Sequence, residues 1–118
     1  LEKVKAHVGD VDFAVQPELV SLLSSRNFGR YADEKGEMKV CFISNNDITG
    51  GNSGSAMFNS KGELLGLAFD GNWEAMSSDI LYEPKMQRTI GVDVRYILFM
   101  IEKYGKAGNL IKELNIIN

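Results

Sequence analysis

Cysteine is almost absent from this 118-residue sequence, because Cys41 is the only one. A single cysteine cannot form an internal disulfide, and it does not indicate a redox compartment. Its neighbours in Val40-Cys41-Phe42-Ile43 have the apolar pattern of a strand. We therefore predict an inert thiol buried in the core, since reactivity requires exposure and a lowered pKa.

Long apolar runs and an excess of positive charge are also lacking. The longest apolar run in the C-terminal half covers residues 97–101, far short of the roughly 20 residues that a membrane-spanning helix needs. The net charge is −3 and the lysines and arginines are scattered, whereas nucleic-acid binding depends on clustered cations. Neither a membrane span nor a nucleic-acid partner is expected.

Signatures of targeting and of bound groups are missing as well. The chain begins with Leu1-Glu2-Lys3 and has neither an initiator methionine nor a signal-type apolar stretch, as in a mature, processed or excised piece. No metal-ligand cluster, phosphate-binding loop or cofactor motif is present, so we expect neither a metal nor a cofactor.

The composition is that of one soluble globular domain, with 44% apolar and 25% charged residues. Residues 1–38 form an entry segment, with a short strand predicted at 11–15 and a short helix beginning at Pro17. Residues 39–93 alternate short apolar stretches with Gly, Asn and Asp, which predicts an antiparallel barrel or sandwich with strands at 40–44, 55–59, 63–69 and 87–92. Ser60-Lys61-Gly62 supplies a tight hairpin turn.

Residues 94–118 have helical periodicity. The apolar residues Val94, Ile97, Leu98 and Ile101 have the spacing of one buried stripe, and Gly105 ends that helix. A last short helix is predicted to be capped by Asn109, with Leu110, Ile111 and Leu114 facing inward. The predicted fold class is mainly β with C-terminal helices.

The loop between the first two predicted strands carries the chemistry. Gly50-Gly51-Asn52-Ser53-Gly54-Ser55 places one hydroxyl among glycines. Glycines allow the backbone to turn tightly and to aim N–H groups at one point, as the oxyanion of an acyl transfer requires. In that geometry Ser53 is the nucleophile, the N–H groups of Gly51 and Ser53 form the oxyanion hole, and Asn52 shapes the loop.

The same composition also suits an ordinary hairpin loop. The surrounding sequence separates the two interpretations. Gly-Asn-Ser-Gly is followed by a strand, a tight hairpin and a second strand that ends in Gly66-Leu67-Ala68-Phe69-Asp70-Gly71. This order resembles the second barrel of trypsin-like serine peptidases, with a terminal helix packed on it.

Three blocks make the resemblance narrower. They are residues 44–55, residues 66–74 and the stretch from Arg88 to Tyr96, and together they resemble the C-terminal end of the bacterial serine dipeptidyl-peptidases of the VII and XI type. The similarity covers residues 28–116. Ala56 stands where the family often has proline, a change that alters no chemical group.

The resemblance implies roles for further residues. The end of the strand, with Phe69, would pair with the substrate and line its pocket, and Asp70 would hold the α-ammonium of a free N-terminus, a charge-assisted bond. Gly71 would leave the side-chain pocket open and uncharged, which favours a hydrophobic residue before the scissile bond. Trp73 would line the same neighbourhood. The simpler alternatives are a turn residue for Asp70 and ordinary packing for Trp73.

The partner groups of a catalytic serine are not evident in the chain. A serine nucleophile needs a base and an acid, yet His7 is the only histidine and precedes the barrel. By the resemblance, both groups come from a first barrel, so His7 is predicted to be a surface residue. Asp47 is expected to shape the nucleophile loop and Asp93 to cap the terminal helix.

The prediction is thus a C-terminal fragment that is inactive alone, from a dipeptidyl-peptidase in the periplasm or at the surface of a Gram-negative bacterium. Its partners would be peptides with a free N-terminus and the missing N-terminal barrel, and an exposed apolar face favours a homodimer. Two alternatives are a glutamyl-endopeptidase-like protease, which needs no amine anchor, and a non-catalytic binding module.

Overall fold

A computed structural model describes residues 2–7, 9–77 and 80–117 of the chain. It contains an antiparallel four-stranded sheet with the strand order β1-β4-β3-β2. The strands are β1 Cys41–Ser44, β2 Ala56–Phe58, β3 Leu64–Gly71 and β4 Thr89–Asp93. Each predicted strand of residues 39–93 is present with ends shifted by one or two residues.

Helical segments precede β1 along the chain, separate β3 from β4, and follow β4. The α-helices are α1 Glu2–Ala6, α2 Pro17–Ser24, α3 Val94–Phe99 and α4 Gly108–Glu113, and α3 continues as a π-helical turn over Met100–Tyr104. Short 3₁₀ helices cover Val11–Phe13, Gly29–Tyr31 and Trp73–Ser77. In the described residues no helix has the length and apolar character of a membrane span.

The chain divides into two compact units. The first combines Leu1–Met38 with Leu98–Asn118. Its buried centre is aromatic: the ring of Phe99 lies 5.7 Å from that of Phe28 and 6.3 Å from that of Tyr31, both edge-to-face. Such pairs contribute about 1 kcal/mol each beyond the area that they bury.

The second unit, Lys39–Ile97, contains the sheet. Phe42 lies across its middle strands, and a Cβ at Gly91 would come within 2.7 Å of the Phe42 ring. Glycine at this position therefore lets the ring pack directly on the backbone. At the end of β4, Asp93 accepts a hydrogen bond from the N–H of Arg95 at 2.9 Å, which confirms its predicted role as the cap of α3.

The term "mainly β" is wrong for this chain, since helical residues outnumber strand residues in the part that the structure describes. The predicted strand at 11–15 is a 3₁₀ turn, because the Asp10 carboxylate accepts the Asp12 N–H at 3.1 Å and starts a helical turn instead. The N-cap residue of α4 is Ala107, not Asn109, and its side chain makes no capping hydrogen bond.

Two burial predictions are also wrong. Cys41 is exposed, because β1 is an edge strand whose side chains alternate between exposed and half-buried. In α4 only Ile111 is buried, while Leu110 and Leu114 are 47% and 50% exposed. The division into segments 1–38, 39–93 and 94–118 stays a prediction.

Candidate active site

The predicted nucleophile loop is closed by its own asparagine. Asn52 donates its N–H to the carbonyl of Thr49 at 3.2 Å and accepts the Thr49 N–H on Oδ1 at 2.9 Å. Its carbonyl accepts the N–H of Ser55 at 2.9 Å. Gly51 has a φ of +93°, a conformation in which a residue with a Cβ is strained. The local sequence therefore specifies this tight turn.

The backbone donors of the loop differ in how they are used. The N–H of Gly54 binds the carbonyl of Ala68 at 2.7 Å, and those of Asn52 and Ser55 bind within the loop. In the described part of the chain, no hydrogen bond uses the N–H of Gly51 or of Ser53. These two donors are the ones that sequence analysis assigned to the oxyanion hole, and they are available to an incoming oxygen.

Ser53 is exposed and lies beside the end of β3. Its hydroxyl donates a long hydrogen bond of 3.4 Å to the carbonyl of Phe69. The pairing of Ala68 with the loop, in which its N–H binds the Ser55 carbonyl at 2.8 Å, continues the β2–β3 ladder and holds the two segments together. The fold thus places the candidate nucleophile next to the candidate substrate-binding residues.

A bulge lies at Phe69. Ala68 pairs with Gly91 and Asp70 pairs with Ile90, so that Phe69 is the extra residue in β3. A bulge bends the strand and re-aims its side chains, and the Phe69 side chain is 62% exposed. Asp70 follows on the exposed surface, where its Oδ1 accepts the Gly71 N–H at 2.8 Å. No ion pair in the described residues involves Asp70.

The loop and the strand end share one cleft of about 250 Å³. This is slightly below the range of about 300–1,000 Å³ that is usual for drug-sized ligands, and it suits a single side chain. Among the described residues the cleft has no lysine or arginine; its lining is Ile48, Thr49, Gly50, Ser53, Phe69, Asp70, Gly71, Asn72, Ala75 and Met76. Four predicted site residues are therefore brought together, namely Ser53, Phe69, Asp70 and Gly71.

The start of the nucleophile loop is tied to the segment before β4. The Tyr82 hydroxyl donates to the carbonyl of Asn45, and the buried Thr89 hydroxyl donates to that of Asn46 at 2.7 Å. No pattern in the sequence indicates these contacts or the cleft positions of Asn72 and Ala75. Asn72, Ala75 and Tyr82 lie between the strands predicted at 63–69 and 87–92, where no regular element was predicted.

Other candidates lie elsewhere. Trp73 is 82% exposed and is not part of the cleft lining, so it neither lines the pocket nor packs in a core. His7 lies in the first unit, where its Nδ1 is 3.7 Å from Asp10 Oδ2. The described residues contain no group of three or more His, Cys, Asp and Glu side chains arranged to hold a metal ion.

The known proteins that this chain resembles are peptidases. The family model described as Peptidase S46 matches residues 1–116. The chain therefore belongs to the S46 family of peptidases. The predicted relationship to bacterial dipeptidyl-peptidases of the VII and XI type is confirmed.

The relatives fall into two groups by name, dipeptidyl-peptidase 7 and Asp/Glu-specific dipeptidyl-peptidase. Dipeptidyl-peptidase 7 of Porphyromonas endodontalis is 63% identical over 106 residues, which are 90% of this chain and 13% of that protein. The Asp/Glu-specific dipeptidyl-peptidase of Capnocytophaga gingivalis is 49% identical over 109 residues, 92% of this chain and 15% of that protein. The chain thus spans about one seventh of the length of these relatives.

A solved structure has the same fold. DPP11 of Porphyromonas endodontalis, in complex with the dipeptide Arg-Glu, superposes with a TM-score of 0.88 at 43% identity. The superposition covers 96% of this chain and 16% of that protein. The antiparallel sheet and its helices therefore match a segment of DPP11 in fold.

Proposed function

We propose that the full-length protein containing this chain is a serine dipeptidyl-peptidase that releases dipeptides from peptides with a free N-terminus. The observation that carries the proposal is the pair of uncommitted N–H donors at Gly51 and Ser53, in the same loop as the exposed Ser53 hydroxyl. Preorganised donors of this kind stabilise the oxyanion of acyl transfer by about 3 kcal/mol each. The peptidase family and the names of the relatives support the same chemistry.

In the proposed reaction, the Ser53 oxygen attacks the carbonyl carbon of the scissile bond. The oxyanion is bound by the two N–H groups, and the peptide nitrogen leaves with a proton. A base must take the Ser53 proton and return it to that nitrogen. We propose that the base and its acid belong to the rest of the full-length protein, in a first barrel of the trypsin-like type, so that this chain alone is inactive.

Asp70 is proposed as the anchor for the substrate's α-ammonium. Its carboxylate is exposed in the same cleft as Ser53 and forms no ion pair in the described residues. We propose that an ammonium bound there leaves the second residue of the substrate at Ser53, as release of a dipeptide requires. An endopeptidase needs no such anchor.

The side-chain preference remains a proposal based on the cleft alone. In the described residues its lining includes no lysine or arginine that could bind an acidic side chain. A hydrophobic preference therefore fits the cleft. The Asp/Glu-specific relatives conflict with that preference, and the name dipeptidyl-peptidase 7 specifies no side chain, so the comparisons do not support it.

The rest of the full-length protein is also the proposed partner of this chain. Exposed apolar side chains follow β3, with Trp73, Met76, Ile80 and Leu81 between 72% and 92% exposed, and exposed patches of this kind favour association. A homodimer is the alternative proposal. A location in the periplasm or at the cell surface is proposed from the family resemblance alone.

The decisive experiment uses the full-length protein and a dipeptidyl substrate with a chromogenic leaving group. We expect Ser53→Ala to lower kcat on the order of 10⁶-fold, as loss of a serine nucleophile does, while Ser60→Ala in the exposed hairpin turn leaves it unchanged. In the same assay, Asp70→Ala should raise KM for free-amine substrates about 10- to 100-fold, which corresponds to a charged hydrogen bond. Retained turnover by Ser53→Ala refutes the proposal, and unchanged dipeptide release by Asp70→Ala refutes the amine anchor.

A further inference from the structure

The 3₁₀ helix Trp73–Ser77 follows β3 and is fixed at its start by Asn72. The Asn72 backbone donates its N–H to the Arg88 carbonyl at 2.9 Å, and its Oδ1 accepts the Arg88 N–H at 2.8 Å. Its Nδ2 donates to the Met86 carbonyl at 2.8 Å and to the Glu74 carboxylate at 2.7 Å. One side chain therefore links the end of β3 to the segment that leads into β4.

Within this turn, Ala75 faces Gly71. The Ala75 N–H binds the Asn72 carbonyl at 2.9 Å, and a Cβ placed on Gly71 would lie 2.8 Å from the Ala75 Cβ. The next atom that such a Cβ would approach is the Ile48 Cγ2 at 3.5 Å. Ala75 is half-buried and belongs to the cleft lining. Its methyl group is the nearest obstacle to a side chain at position 71.

The same cleft is lined by the Ser53 hydroxyl. When Ser53 attacks a substrate carbonyl, the side chain of the residue that contains this carbonyl lies only a few bonds away and would enter the cleft. We propose that Ala75 is a specificity-determining residue, whose methyl group sets the width of the pocket for this side chain. The inference rests on the proposed function, because it assumes that Ser53 is the attacking group.

The test compares Ala75→Val and Ala75→Gly in the full-length protein, with substrates that differ only in whether alanine, leucine or phenylalanine precedes the scissile bond. Ala75→Val should lower kcat/KM for the phenylalanine substrate roughly tenfold or more, as added methyl groups in a pocket do, and should affect the alanine substrate far less. Ala75→Gly should shift the ratio in the opposite direction. Labelling of Ser53 by a small fluorophosphonate counts the active molecules of each variant.

The matched control is Ala32→Val. Ala32 is also half-buried and also adjoins a 3₁₀ helix, Gly29–Tyr31, but it lies in the other unit. We expect it to leave the ratio between substrates unchanged. If both Ala75 variants change all three substrates by the same factor while activity still depends on Ser53, the inference is wrong and the proposed function stands. Activity that survives Ser53→Ala refutes the proposed function instead.

A double-variant cycle checks the contact itself. Gly71 does not have a positive φ, so Gly71→Ala introduces no backbone strain and differs only by a methyl group against Ala75. We expect Gly71→Ala to lower kcat/KM, and the added Ala75→Gly change to restore it. Additive losses would show that the two positions are not in contact and would overturn the inference.

Discussion

At the residue scale, Asn52 is the side chain that shapes the candidate oxyanion hole. Its Oδ1 holds the Thr49 N–H at 2.9 Å across the loop, while the donors of Gly51 and Ser53 remain open. We predict that Asn52→Ala lowers kcat for the full-length protein about 10- to 100-fold with little change in KM, because misplaced donors stabilise the transition state less.

Asn52→Asp is the control for this prediction, since it retains an acceptor oxygen in the same position. It should keep most of the activity that Asn52→Ala loses. Equal losses in the two variants, or a loss confined to KM, would contradict a positioning role for the Asn52 side chain.

Single residues differ in how far the sequence reveals them. Ser53, Gly51 and Asn52 were predicted because a hydroxyl among glycines fits a nucleophile loop and because the surrounding blocks resemble a peptidase family. Ala75 was not predicted, because a methyl group carries no chemical pattern, and its proposed role comes only from lying opposite Gly71. The burial of Cys41 was predicted wrongly because apolar neighbours do not distinguish a central strand from an edge strand.

At the element scale, a tyrosine and a glutamate join two parts of the first unit. The hydroxyl of Tyr31, in the 3₁₀ helix Gly29–Tyr31, donates to the carboxylate of Glu102, in the π-helical turn, at 2.6 Å. This hydrogen bond lowers the pKa of Glu102 against the opposing effect of desolvation. Burial, and then the same bond, raise the pKa of Tyr31.

The pKa shift of Glu102 predicts acid sensitivity. Because its folded pKa lies below the ordinary 4.5, the stabilisation is complete above that value and is lost as the pH falls through the folded pKa. In the full-length protein, Tyr31→Phe should therefore lower the melting temperature at about pH 7, and the difference from wild type should shrink at low pH. Tyr104→Phe, in the same turn and without a hydrogen bond in the described residues, should show no such change.

Elements with a repeating pattern were predicted well, and their irregularities were not. The helix predicted from Val94 is present, but its last turn is π-helical, which a stripe of apolar residues does not reveal. Strand β3 was placed correctly, yet the bulge at Phe69 depends on pairing with β4. That bulge brings Asp70 and Gly71 into the cleft, so the least predictable feature of the strand matters most for the site.

At the scale of the whole molecule, the chain contains a candidate nucleophile and lacks an evident base. The match to dipeptidyl-peptidase 7 from Porphyromonas endodontalis covers 90% of this chain but only 13% of that protein. Its one histidine, His7, is exposed and lies in the first unit, whereas Ser53 lies in the second. His7 was predicted to be a surface residue because it precedes the residues of the candidate site, and it is exposed.

His7 is therefore not expected to take part in catalysis. In the full-length protein, His7→Asn should leave kcat and KM unchanged, because the proposed function assigns the proton of Ser53 to a histidine outside this chain. When each other histidine of the full-length protein is replaced by asparagine in turn, one replacement should lower kcat by several orders of magnitude, as is expected for Ser53→Ala. A comparable loss in His7→Asn alone would place the base within this chain and would overturn the proposal that the chain is inactive on its own.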